Sequence, residues 1–413
     1  MSEAIDTQWM SRDPDTIPLN QLDLMNPQLF HDDYHVKVFE RLRQESPVHL
    51  QKDHAEIGSF WNVTRYEDIM AVDTNHDSFS SDGSITAVDQ DEEFPLPMFI
   101  AMDPPKHDQQ RKEVSSAVQP SNLAKMESTI RERVCGILDS LPRGEEFNWV
   151  DRVSIELTTQ MLATLFDFPF EDRRKLTRWS DVATADEDSG IIESEDQRRA
   201  ELFECLEYFT GLWNERVNEP PRGDLISMLA HGESTRNMAP VEYLGNLILL
   251  IVGGNDTTRN SISGGIKFLN ENPAEYQKLR DNHGLIPNMV PEIIRYQTPL
   301  AYMRRTAVKD SVLAGQNIKK GDKLLMWYVS GNRDSRSIED ADKFLIDRHN
   351  ARRHLSFGFG IHRCMGNRLA EMQLRVLWEE IMTRFDNIEV VGKIEMVNSN
   401  FVKGYSKLPV IIR

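Results

Sequence analysis

Phe357-Gly358-Phe359-Gly360-Ile361-His362-Arg363-Cys364-Met365-Gly366 sets a cysteine inside a run of glycines. Glycines at 358, 360 and 366 let the backbone turn tightly and come close to a flat partner. An amphipathic helix follows at once, with Leu369, Met372, Val376, Leu377 and Ile381 at helical spacing. A thiol just before a helix N-terminus meets the positive end of the macrodipole and free N–H groups, so the thiolate is favoured. A thiolate is a good ligand for a soft or borderline metal. A lone cysteine beside a glycine loop is more often a buried free thiol. The fixed residues around Cys364 reverse that balance.

A second irregular stretch lies upstream. Residues 240–269 read as one helix of roughly 45 Å at 1.5 Å per residue. Leu247-Ile248-Leu249-Leu250-Ile251-Val252 is apolar on all sides and therefore buried. Gly253-Gly254-Asn255-Asp256-Thr257-Thr258 then places two glycines and four poor helix formers in mid-helix. Such breaks of a local rule mark functional sites. A helix crossing that needs small residues explains the glycines alone. It leaves a buried acid and hydroxyl without a reason, and these are costly without partners.

The first stretch resembles the haem-ligand loop of cytochrome P-450 enzymes, in its bacterial form Phe-Gly-x-Gly-x-His-x-Cys-x-Gly. The second resembles the oxygen-activation segment of the same family. Met102 to Lys112 resembles the family's His-x-x-x-Arg helix, with His107 and Arg111 four apart on one face. Glu292-x-x-Arg295 falls between the two main motifs in the family's order, and Arg348 matches the third member of its Glu-Arg-Arg network. The resemblance implies a mainly α fold with small β sheets, as one triangular-prism-like domain over residues 31–413. It implies haem b with Cys364 thiolate as axial ligand to the iron. It further implies that Phe357, His362, Gly253 and Gly254 border the haem and that His107, Arg111 and Arg305 meet its propionates, with Arg304 as the alternative to Arg305. Asp256 and Thr257 are by the same match the proton-delivery pair. Glu292, Arg295 and Arg348 are expected to hold the haem-side core together.

The closer resemblance is to soluble bacterial terminal hydroxylases of medium-chain alkanes and fatty acids. It implies an apolar small-molecule substrate, O2, and electrons from a ferredoxin with an NAD(P)H-dependent ferredoxin reductase. The alternatives are a P-450 acting on another hydrophobic substrate such as a terpenoid or steroid, a haem-thiolate sensor or carrier, and a peroxygenase. Arg352, Arg353, Arg363 and Arg368 cluster near the thiolate loop. They form a candidate docking patch for an acidic ferredoxin. Ordinary solvated charge accounts for them nearly as well.

Composition supports these expectations. The 413 residues carry a net charge of −18, which argues against a general nucleic-acid-binding surface. Cys135, Cys205 and Cys364 are far apart and form no Cys-x-x-Cys pair, so neither a disulfide framework nor a structural zinc site is expected. No apolar run approaches the ~20 residues that span a bilayer, and the N-terminus does not read as a signal peptide. A cytoplasmic protein follows as the expectation.

Residues 1 to 30 read as a flexible arm. A helix is expected from 33 to 46, a β hairpin over 48–63 and a short helix over 66–73. The irregular segment 77–102 carries Phe94, Leu96, Met98, Phe99 and Ile100, as a loop folded over something apolar would. Asp103 is the expected cap of the next helix. Successive helices are expected from 121 to 232, with an acidic surface loop over 181–197. Residues 161–170 and 202–213 suit core packing or a pocket wall equally. Lys320-Gly321-Asp322 reads as a hairpin turn, and short strands are expected after 388.

Overall fold

The computed structural model describes residues 12–31, 33–185 and 189–413. Its helices are α1 (His35–Glu45), α2 (Tyr66–Asp73), α3 (Lys106–Ser115), α4 (Pro120–Asp139), α5 (Glu156–Phe166), α6 (Arg174–Thr184), α7 (Glu195–Arg216), α8 (Leu225–His231), α9 (Pro240–Glu271), α10 (Pro273–Asp281), α11 (Ile286–Gln297), α12 (Tyr328–Gly331) and α13 (Asn367–Arg384). The strands are β1 (Val48–His54), β2 (Gly58–Val63), β3 (Phe79–Ser80), β4 (Glu146–Asn148), β5 (Met303–Ala307), β6 (Ser311–Leu313), β7 (Gln316–Ile318), β8 (Lys323–Met326), β9 (Ile388–Val390), β10 (Glu395–Met396), β11 (Tyr405–Lys407) and β12 (Pro409–Ile412). The chain is thus mainly α with small sheets, as expected. The largest sheet has the order β1-β2-β8-β5-β3.

α9 is the axle of the fold. Pro240 opens it at a position where no backbone donor is missed. Its Leu244, Leu247, Ile248 and Ile251 are buried against the α5–α8 layer, and its Ile262, Ile266, Phe268 and Leu269 against α4, α11 and α13. Gly254 serves this packing, since a Cβ there would lie 2.7 Å from Leu162 Cδ2. Gly245 does the same for the loop before α3: a Cβ would collide with the Pro97 carbonyl. Buried Asn246 accepts the Phe99 N–H at 2.9 Å and pins that loop across α9.

A buried ion network ties α11 to the segment before the cysteine loop. Glu292 accepts Arg295 Nε at 2.7 Å and Nη2 at 2.8 Å. It also accepts Arg348 Nε at 2.8 Å and the Leu345 N–H at 2.9 Å. The remaining guanidinium protons go to backbone carbonyls, including those of Asn332, Ala341 and Lys343. All five Arg295 donors and both Glu292 oxygens are used, which is the condition under which buried charge is tolerated.

Four sequence expectations need correction. Residues 1–11 lie outside the described residues, but 12–30 are no free arm. Ile17, Leu22, Leu24, Leu29 and Phe30 are buried against α1 and Trp327, because this stretch carries enough apolar surface to pack. The Asp103 side chain does not cap α3. It accepts Ser80 Oγ and the Ser81 N–H, so it braces the end of β3. The hairpin turn lies at Ala314-Gly315, both at positive φ, between β6 and β7. Residues 320–322 instead lead into β8, which pairs with β5 and β2 in another sheet. The acidic segment 181–197 is partly helical at both ends, and residues 186–188 lie outside the described residues.

Removing Glu292 leaves two buried guanidinium groups without their acid. Glu292→Ala is therefore expected to lower unfolding free energy by about 3–5 kcal/mol in urea titration. A midpoint equal to that of the parent would show that the network does not stabilise this fold.

Candidate active site

One large cavity lies between α9 and the cysteine loop. α9 contributes Ile248, Leu249, Val252, Gly253, Gly254, Thr257, Thr258 and Ser261. Phe357, Gly358, His362, Cys364, Met365 and Gly366 form the facing wall. The cysteine loop is shaped by Gly358 and Gly360, at φ of 62° and 65°. A Cβ on Gly360 would lie 2.6 Å from the Asp73 carbonyl, so the loop can seat on the end of α2 only without side chains there. The Cys364 N–H donates to the Phe357 carbonyl at 2.8 Å, closing the turn. Cys364 is exposed and lines the cavity. Burial pushes the thiol up, opposed by the Gly366 N–H, the Arg111 and Arg363 charges and the Asn367 N–H.

Cations surround this end of the cavity. Arg111 donates to the Arg363 carbonyl. Arg305 is buried, lines the cavity and pairs with Asp73 at 2.8 Å. Arg304 is outside the lining and pairs with Asp89 at 2.7 Å, so of the two alternatives only Arg305 looks inward. His107 stacks edge-on against His362, with ring centroids 4.3 Å apart. His107 Nδ1 meets Asp108 Oδ1 at 2.7 Å, while its Nε2 and both nitrogens of His362 are buried without a partner among the described residues. Burial, then the Arg305, His107 and Arg111 charges, hold His362 far below the usual imidazole range. A cavity lined by a thiol and two arginines, with unpartnered imidazole nitrogens beside them, fits a haem with two acidic propionates.

The Asp256–Thr257 pair is divided by the helix. Consecutive residues point about 100° apart. Thr257 lines the cavity and donates to the Gly253 carbonyl at 2.9 Å. Asp256 faces away from it, fully buried, and meets Arg259 at 2.8 Å. Arg259 also holds Asp181 of α6 at 2.9 Å. Burial pushes Asp256 up to about 6, against the pull of Arg259. α9 is continuous through this stretch, so the glycines do not break it. Gly253 leaves open space on the cavity side.

The segment 77–102 forms part of the cavity wall, through Ile85, Phe94, Leu96, Met98, Phe99 and Ile100. Met161, Leu162, Leu165 and Leu202 also line the cavity, whereas Phe166, Phe168 and Phe209 pack with Trp179 in the core. At the mouth, Arg199 pairs with Asp91 and Glu93, joining α7 to that segment. Sequence reasoning missed Asp73, Tyr328 and Asn246. None belongs to a motif, and only long-range packing brings them to the site.

A thiolate loop facing a buried helix across a cationic edge defines a haem-thiolate site. The family model for cytochrome P450 matches residues 214–407. The chain is 35% identical to linalool 8-monooxygenase of Pseudomonas putida, over 94% of this chain and 98% of that protein. It is 30% identical to methyl-branched lipid omega-hydroxylase of Mycobacterium bovis, over 99% of each. Among solved structures, cytochrome P450-153 from Novosphingobium aromaticivorans is 47% identical with a TM-score of 0.89, covering 95% of this chain and 99% of that one. The chain belongs to the cytochrome P450 family, whose members bind haem b through a cysteine thiolate. It is a cytochrome P450 monooxygenase.

The raised Asp256 gives a pH test of this geometry. A carboxyl raised in the folded state contributes stability below its unfolded value near 3.8, and loses it as pH rises through about 6. Relative to Asp256→Asn, the parent protein is expected to lose stability between pH 4 and pH 7 in urea unfolding. A difference that stayed flat across this window would show that Asp256 is ionised normally.

Proposed function

We propose that this monooxygenase hydroxylates the terminal carbon of a medium-chain alkane or fatty acid. The supporting observation is the distribution of polarity in the cavity. Charge gathers at the cysteine end, through Arg111 and Arg305, and at the mouth, through Asp91, Glu195, Arg198 and Arg199. Between them the walls are Phe94, Leu96, Met98, Leu249, Leu250, Val252 and Phe401. Such walls remove an alkyl chain from water along its length. A terminal methyl C–H bond is stronger than those of its methylene neighbours. Position must therefore decide the product, by admitting only the chain end to the reactive centre. The relative named an omega-hydroxylase supports this reading.

Haem bound through a cysteine thiolate supplies the activation of O2. In this chain Cys364 would hold the iron, and Arg111, Arg305, His107 and His362 would meet the propionates. Phe357, Gly358, Gly253 and Gly254, which line the cavity, would border the haem. Thr257 presents its hydroxyl to the cavity, and Asp256 lies on the buried side of the same turn, paired with Arg259. An acid near 6 can both take up and release a proton at neutral pH. Electrons would come from a ferredoxin and its NAD(P)H-dependent reductase. Arg352, Arg353, Arg363 and Arg368 are exposed near the thiolate loop, although Glu371 and Glu67 balance the first two. Among the described residues no helix is long and apolar enough to cross a membrane. We read the enzyme as cytoplasmic.

A second reading, oxidation of a branched substrate of the linalool kind, is favoured by the 35% identity to linalool 8-monooxygenase. Product analysis separates the two. With ferredoxin, reductase and NADH, a chain-length series of alkanes and fatty acids is expected to yield 1-alcohols and ω-hydroxy acids. Subterminal products, or turnover with linalool alone, would overturn the terminal assignment.

Thr257→Ala removes a hydroxyl and little volume. Substrate affinity is expected to change less than about threefold, while NADH consumption outruns alcohol formation and hydrogen peroxide accumulates. Unchanged coupling with weakened substrate binding would make Thr257 a pocket wall only.

A further inference from the structure

Asp73 ends α2, lies outside every motif, and is 3% exposed at the edge of the cavity. Its carboxylate is shared between three separate parts of the chain. Oδ1 accepts Arg305 Nη2 of β5 at 2.8 Å. Oδ2 accepts the Tyr328 hydroxyl of α12 at 2.9 Å and the Phe359 N–H of the cysteine loop at 2.8 Å. Arg305 Nη1 is held in turn by the Arg304 carbonyl at 2.8 Å. The loop is also pressed onto Asp73 at its glycines, as the Gly360 contact shows. Arg305, Tyr328, Gly358 and Cys364 all line the same cavity.

We propose that Asp73 is a positioning residue of the haem site, fixing with one carboxylate both the arginine that meets a propionate and the loop that presents the thiolate. Arg305 is long and has several rotamers to lose on meeting an acidic group. Bound to Asp73, it has lost them before the cofactor arrives, and its remaining guanidinium edge stays free for the propionate. The Phe359 N–H on Oδ2 sets the loop at a fixed distance from that arginine. The spacing between propionate and thiolate anchors is thereby set by one residue. Asp73 also places a negative charge beside the edge of the cofactor. That charge offsets part of the Arg305 field and disfavours the more electron-rich ferrous state. A merely structural ion pair would do neither.

This inference rests on placing the haem in this cavity. The test uses the holoenzyme and Asp73→Asn, which keeps the shape and removes the charge. Transfer of ferric haem to excess apomyoglobin is expected to be at least about tenfold faster, the effect of losing one charge-assisted hydrogen bond. The ferric/ferrous midpoint potential is expected to move positive. If Asp73→Asn does not retain haem, Tyr328→Phe serves. It removes one neutral donor from Oδ2, so haem should leave faster than from the parent by a smaller factor, with little change in potential. Parent-like haem release and potential in Asp73→Asn would overturn the proposal. So would a loss of global stability in urea with haem release unchanged, or parent-like release in Tyr328→Phe where the Asn variant is empty. A parent protein whose haem lacks a thiolate-type spectrum would overturn the placement of the cofactor itself.

Discussion

The close approach of the cysteine loop to the end of α2 is the constraint on which the site depends. Gly358 and Gly360 take left-handed conformations, and no Cβ fits between Gly360 and the Asp73 carbonyl. The loop is therefore fixed by contact on one side and by α13 on the other, where the N–H groups of Gly366 and Asn367 reach the sulfur. Everything the cavity can do follows from holding one thiol rigidly opposite one helix. α9 answers with glycines for two different purposes. Gly254 lets Leu162 approach, while Gly253 leaves space on the cavity side.

Charge is arranged against the background of the chain. A net charge of −18 surrounds a cavity lined by Arg111, Arg305 and His362, with His107 stacked against His362. Buried cations are costly unless an anion meets them. Asp73 meets Arg305 in part, and the imidazole nitrogens of His362 have no partner among the described residues. A cofactor with two carboxylates resolves both facts. At the opposite end the charges are already balanced, because Arg199 is taken by Asp91 and Glu93. Ion pairs thus link α7 to the 77–102 segment there, and the apolar middle is left for the substrate.

The cysteine loop, the long helix and the Glu292–Arg295 pair were legible because each is local, whereas Arg348, 56 residues from Glu292, was reached only through the family resemblance. Their residues sit at fixed short spacing, and glycine, cysteine and buried acid are informative types. Arg305 could be separated from Arg304 only in three dimensions, since adjacent strand residues face opposite sides and the sequence does not say which side is inward. The division of Asp256 from Thr257 has the same origin in helical geometry. Asp73, Tyr328 and Asn246 were illegible for a different reason. Their roles depend on partners 286, 255 and 147 residues away. The packing of residues 12–30 was missed because isolated apolar residues between prolines and acids show no period. The Ala314-Gly315 turn was missed because alanine rarely takes positive φ.

The central claim is that Cys364 holds the haem iron as a thiolate in this cavity. Carbon monoxide difference spectroscopy of the reduced protein tests it most directly, with Cys364→Ser as the comparison. The parent is expected to show the red-shifted Soret band of a thiolate-ligated haem, and the variant to lose that band while keeping its fold by circular dichroism. A variant that folded, bound haem and retained the band would contradict the account.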